Sequence, residues 1–163
     1  MTISEEMREQ IRELHAKGKW PGKCFDRHFP KIKKIVDTEG YKTILDYGCG
    51  KAKYHPKEWN IKKYDPGVPE FSRKPGGTYD LVICTDVLEH VEEEHIMFVL
   101  SELISFAEKG LYLCIHLGKA KQILPDGRNA HILIKSKDWW TLNIDSLKNQ
   151  INPKLKIYYN WSK

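Results

Sequence analysis

Apolar positions recur at intervals of three and four near the start of the chain. Met7, Ile11 and Leu14 share one face of a helix predicted over 4–17, which Gly18 stops, and Thr2 and Glu5 have the spacing of a capping box. A second helix is predicted from Pro30, a favoured first helical position, to about Thr38; Ile32, Ile35 and Val36 face inward and Gly40 ends it. The pattern then changes to short runs of strand character at 43–47 and 61–65. Residues 81–84 are continuously apolar, as expected of a parallel strand covered on both faces, and 111–117 and 155–161 are two further strands. Helices are predicted at 92–109, with acids in the first turn and Gly110 as terminator, and at 138–150, with Trp140, Ile144, Leu147 and then Ile151 on one side. Residues 53–60 carry Pro56 and are too short for an ordinary crossover helix, so a compressed turn is expected there. Strands alternating with helices, without an internal repeat, predict an α/β fold: a doubly wound, mostly parallel, Rossmann-like sheet in three layers.

The 163 residues suit one domain, with 1–40 as N-terminal helices and lid and 41–163 as the core. A hydrophobic content of 40% with 11% aromatics is that of a globular chain. No apolar run approaches the roughly 18 residues of a membrane span, and the acidic start is not what a signal peptide is expected to show. Cys24, Cys49, Cys84 and Cys114 lack disulfide-framework or metal-motif spacing and read as reduced core thiols of a cytoplasmic protein. Much of the net charge of +5 lies in the first third, with more at Lys51, Lys53 and Lys57. No aromatic-basic stacking repeat accompanies these lysines, so they read as solvated faces before a patch for an acidic substrate.

The run Asp46-Tyr47-Gly48-Cys49-Gly50 places an acid at a strand end and a tight glycine turn behind it. Asp65 follows 19 residues after Asp46, at the end of the next strand. A turn cleared of side chains plus a carboxylate at that separation suits a nucleoside, whose ribose hydroxyls the acid accepts. Lys53 stands where a dinucleotide site needs its third glycine. The small residues fall at 48, 50 and 52 instead, which suits S-adenosylmethionine (SAM), a ligand without a pyrophosphate.

Together with the stretch 78–91, which contains Asp86-Val87-Leu88-Glu89-His90, these motifs resemble class I SAM-dependent methyltransferases over about residues 40–117. The resemblance implies that Gly48 and Gly50 give backbone room to the methionine and ribose of SAM, with Cys49 beside them. Asp46 would orient the turn and hold the amino group, Asp65 would take the ribose hydroxyls with Pro66 beside it, and Asp86 and Val87 would line the crevice near the sulfonium. Only 14 residues separate Asp65 from Tyr79, too few for the usual helix, strand and helix. The edge strand that helps hold adenine is therefore expected to be absent, leaving that task to residues 69–71, and a last antiparallel strand is also missing. The chain is similar to compact methyltransferases that occur in phage genomes.

The implied activity is methyl transfer to a hydroxyl or amine of a small-molecule acceptor, with Asp86, His90 and His131 as catalytic candidates. Asp86, Glu89, His90 and His131 also resemble the Mg²⁺ or Mn²⁺ site of small-RNA 3′-terminal 2′-O-methyltransferases, which makes RNA an alternative acceptor. The other reading of the Leu-Glu-His-Val stretch is a metal-free one, with Glu89 at a helix start and His90 packed. A third function is a protein that binds or degrades SAM without transferring its methyl. His116 is either a core histidine or a base, and His15 and His28 are lesser substrate candidates. The turn-rich loop 124–129 and the 20–22 segment are candidate lids, while Trp139 and Trp140 read as packing.

Overall fold

A computed structural model describes residues 3–20 and 24–163. The element order is α1 (Glu5–Ala16), α2 (Cys24–Glu39), β1 (Ile44–Tyr47), β2 (Ile61–Tyr64), β3 (Tyr79–Thr85), α3 (Ile96–Phe106), β4 (Ala107–His116), α4 (Lys137–Ile151) and β5 (Lys156–Ser162). The strands form one sheet in the order β2-β1-β3-β4-β5, and every pairing is parallel. This is the expected doubly wound, Rossmann-like three-layer arrangement.

The layers follow from the two-residue period of strands. Leu45, Val82, Cys84, Leu111, Leu113 and Ile115 turn to one face, into a core with Met7 and Leu14 of α1, Leu100 and Leu103 of α3, and Trp140 and Ile144 of α4. Ile44, Leu81, Ile83, Tyr112 and Cys114 turn to the other, against Phe25 and Ile32 of α2. Trp140 is fully buried, in keeping with a packing role. All four cysteines are free, and among the described residues no helix is long and apolar enough to cross a membrane.

Helix ends differ from the sequence expectation for identifiable reasons. Ser4 caps α1, its side chain accepting from the Met7 N–H; Thr2 lies outside the described residues. Pro30 sits inside α2 rather than at its start. The apolar stripe Phe25, Phe29, Ile32, Val36 runs straight through it, and packing on the sheet outweighs one lost N–H. The acids before α3 are not its first turn: the Glu92 carboxylate accepts the Ser4 N–H and the helix starts at Ile96. Gly110 does not stop α3 but lies within β4, where a Cβ would press to 2.9 Å from the Tyr41 ring.

Two connections are as short as expected. Residues 53–60 hold no helix, and β2 reaches β3 through the single 3-10 turn Pro69–Phe71, so β2 is an edge strand. No antiparallel strand joins the sheet among the described residues. From β1 the chain passes to β2 on one side and then to β3 on the other. Strand order therefore reverses between β1 and β3, and the carboxyl ends there form the crevice in which open α/β sheets bind ligands.

Candidate functional site

The glycine turn after β1 is held by backbone. The N–H groups of Gly48 and Cys49 both donate to the Tyr64 carbonyl, at 2.7 and 3.1 Å, which ties the turn to the end of β2. Gly48 and Gly50 have φ of +84° and +53°, and Ala52 has +47°. A Cβ on Gly48 would overlap the Cγ2 of Val87. The space a side chain would need there is thus taken by Val87.

Asp65 is buried and accepts two backbone hydrogen bonds, Gly50 N–H to Oδ2 and Gly67 N–H to Oδ1, both 2.8 Å. Each oxygen keeps a further lone pair. Burial raises the Asp65 pKa; nearby His15 and the two N–H donors work against that. Asp46, also buried, faces His55, whose Nε2 is 2.6 Å from its Oδ2 and whose Nδ1 is 3.2 Å from the Ala52 carbonyl. His55 thus braces both acid and turn. It escaped the sequence reading because its partner lies in a strand, and nothing in the local pattern marks it.

The wall that the short β2–β3 connection omits is supplied by α1. Ile11 and His15 close over the Asp65–Gly67 turn, with His15 Nε2 3.9 Å from Asp65 Oδ2. A Cβ on Gly67 would overlap Ile11 Cγ2. Gly67→Ala should therefore cost about 1–3 kcal/mol by overpacking, read as a lowered melting temperature, and Ile11→Ala in the same chain should recover part of it.

At the end of β3, Asp86 adopts φ +53° while its N–H donates to the Cys114 carbonyl at 3.0 Å. Strained non-glycine residues of this kind cluster at functional sites. Its carboxylate meets the Arg27 guanidinium at 3.4 Å and the Cys114 thiol at 3.2 Å. It does not join Glu89, His90 and His131, whose ligand atoms lie within 4.8 Å of one another. The four-residue metal set expected from sequence is therefore divided: Asp86 groups with His28 and Cys114.

Glu89 and His90 sit on the 3-10 turn Leu88–His90, not at the start of a long helix. Glu89 is fully buried; Oε1 accepts the His116 N–H at 3.0 Å and Oε2 has no partner. Burial pushes its pKa up to about 8. Burial lowers His90 to about 4 and also lowers His131. Their Nδ1 atoms lie 2.7 Å from the Ala130 carbonyl and 2.6 Å from the Gly118 carbonyl, so each donates its Nδ1–H and leaves Nε2 as an acceptor. The His116 ring stands 4.6 Å from that of His131, and its Nδ1 is engaged with Gly118.

These elements enclose a cavity of about 260 Å³. The residues predicted to hold the methionine and ribose end of the cofactor line it: Asp46, Gly48, Cys49, Gly50, Asp65, Pro66, Asp86 and Val87, together with His90. Cys24, Phe25 and Arg27 of α2 also line it. They were missed because placing the helix start at Pro30 left them in a loop. Residues 69–71, the expected adenine contact, do not line it, and neither do His131 or His116. The 124–129 loop is tied away, Gln10 Nε2 donating to Asp126 Oδ2 at 2.8 Å. Of the other candidate lid, Pro21 and Gly22 lie outside the described residues, while Trp20 packs its ring 4.8 Å from His90. Compared with protein-family models, curated proteins and solved structures, the chain gives no match.

Proposed function

We propose that this protein is a SAM-dependent methyltransferase acting on a hydroxyl or amine of a small-molecule acceptor. What supports this most is one observation: the glycine turn, Asp46, Asp65 and Asp86-Val87 surround a single cavity at the strand-order reversal. The cavity is mostly apolar with a few convergent polar groups, and Asp65, held by two N–H donors, retains lone pairs for a ribose diol.

SAM, when bound, supplies a methyl already activated by a sulfonium. The chain's own part is to exclude water, orient the acceptor and take its proton. Phe25, Trp20 and Val91 supply apolar wall, and Arg27 and Asp86 supply polar edge. His90 is the candidate base: it lines the cavity, is neutral at pH 7, and has Nε2 free because Nδ1–H is donated to Ala130. His131, behind it, orients the His90 ring through an edge contact at 4.9 Å.

A second reading has its own observation. Glu89, His90 and His131 bring two imidazole nitrogens and a carboxylate together, and both histidines donate their other nitrogen to a carbonyl, as metal-binding histidines do. This favours a Mg²⁺- or Mn²⁺-assisted enzyme on a ribose hydroxyl, as in RNA 3′-terminal 2′-O-methylation. Asp86 would not be a ligand in it.

Methyl-labelled SAM incubated with metabolite and RNA pools tests both readings. Transfer of label to a small molecule without added metal is the expected result. Transfer to RNA that needs Mn²⁺ and is lost in His131→Ala would install the second reading. Release of methylthioadenosine or homoserine lactone with no acceptor present would replace both with a SAM-degrading enzyme.

A further inference from the structure

We propose that His28, Asp86 and Cys114 form a binding site for a thiophilic divalent cation of the zinc type, on the α2 side of the cavity. The three offer a nitrogen, a carboxylate oxygen and a sulfur within 4.8 Å of one another. They come from α2, the residue after β3, and β4, so the site exists only in the folded chain. It is separate from the Glu89, His90 and His131 group and does not rest on the methyltransferase reading.

The state of each donor supports this. His28 is 5% exposed; its Nδ1 lies 3.1 Å from the Tyr112 hydroxyl, and its Nε2 is buried with no partner. An orphaned buried nitrogen is costly unless something binds it, and an imidazole fixed at one nitrogen by a hydroxyl is how proteins aim the other at a metal. The Cys114 sulfur receives an N–H from Asn160 at 3.3 Å, which favours a thiolate. A cation there neutralises the Asp86 charge, and its binding releases the thiol proton to solvent.

Nitrogen, oxygen and sulfur donors in this mixture suit Zn²⁺ better than Mg²⁺ or Mn²⁺. Arg27 now holds part of the Asp86 charge, but at 3.4 Å and with a side chain 67% exposed it is easily displaced. Three protein ligands leave a fourth position. Cys24 is on the same α2 face one turn before His28, and both Cys24 and Asp86 line the cavity. Asp86 thus connects the three-ligand group to the cavity, and a three-ligand set with a free fourth position is the arrangement of catalytic rather than structural zinc sites.

Cobalt substitution tests this on the full, metal-free chain without SAM. Titration with Co²⁺ should give one equivalent bound, tetrahedral visible bands and a sulfur-to-cobalt charge-transfer band in the near ultraviolet, all displaced by Zn²⁺. Cys114→Ser should abolish the charge-transfer band, His28→Ala should weaken binding by about tenfold or more, and His131→Ala should retain the band. Should Cys114→Ser fail to fold by circular dichroism, Tyr112→Phe decides instead, with binding weakened by about tenfold. Absence of cobalt binding, a spectrum without a thiolate band, a band that survives Cys114→Ser, or unchanged affinity in Tyr112→Phe would overturn the site.

Discussion

Asp65→Ala should abolish SAM binding and lower stability by about 2 kcal/mol. The carboxylate accepts the N–H groups of Gly50 and Gly67, and the alanine leaves both donors buried without a partner, at about 1–3 kcal/mol each. Part of that loss is offset, because burial already disfavours the ionised acid and its removal relieves the desolvation. The net change corresponds to a melting temperature lower by about 4–8 °C for a chain of this size. Binding should fall by more than a hundredfold, since two charge-assisted bonds to the ribose hydroxyls, about 1.5–3 kcal/mol each, would disappear. Asp65→Asn separates the two effects. It keeps one acceptor but turns an amide NH₂ toward one of the two N–H donors, so stability should be intermediate and binding still lost. Calorimetry showing full-strength SAM binding in either variant would remove Asp65 from the site.

Gly48→Val should also weaken the fold, by about 2–5 kcal/mol. One part is backbone: φ of +84° is left-handed, and a β-branched residue pays about 1–2 kcal/mol or more there. The other part is the overlap of the new side chain with Val87, of the order of 1–3 kcal/mol. A double-mutant cycle separates them. If Val87 occupies the space, Gly48→Ala combined with Val87→Ala should be less destabilised than the sum of the single changes, by about 1 kcal/mol or more, with only the φ strain remaining. Strict additivity in denaturant unfolding would show that Gly48 is needed for conformation alone.

Strands were legible in the sequence because their signal is local. Residues such as Leu81, Val82, Ile83 and Cys84 read as buried on both faces, and the structure sends them alternately to the two cores. Helix ends were less legible because their signals serve more than one purpose. Pro30 marks helix starts elsewhere but is carried here inside α2 by its apolar stripe, Glu92 is spent on the Ser4 N–H, and Gly110 makes room for Tyr41.

The same distinction holds at the site. Asp46, Gly48, Gly50, Asp65 and Val87 could be placed because each sits at a strand end, where backbone fixes it. Arg27 and His28 could not, because folding brings Asp86 and Tyr112 to them from 59 and 84 residues away, and His55 could not because it lies in an irregular loop without a pattern of its own. Glu89 shows the limit from the other side. Its spacing to His90 was visible, but the burial that keeps it protonated was not.

The wall contributed by α1 affects how the crevice is assembled. Ile11 meets its partner Gly67 across 56 residues of chain, and Ser4 meets Glu92 across 88. The helix is made before the strands but has nothing to dock on until β2 and β3 have both paired with β1. Contacts of such sequence separation are closed late, after the loop entropy between them has been overcome. The sheet and its acids should thus form ahead of the enclosure around them. A newly made chain would pass through a stage in which Asp65 is in place but still open to water, and ligand competence would be the last property it acquires.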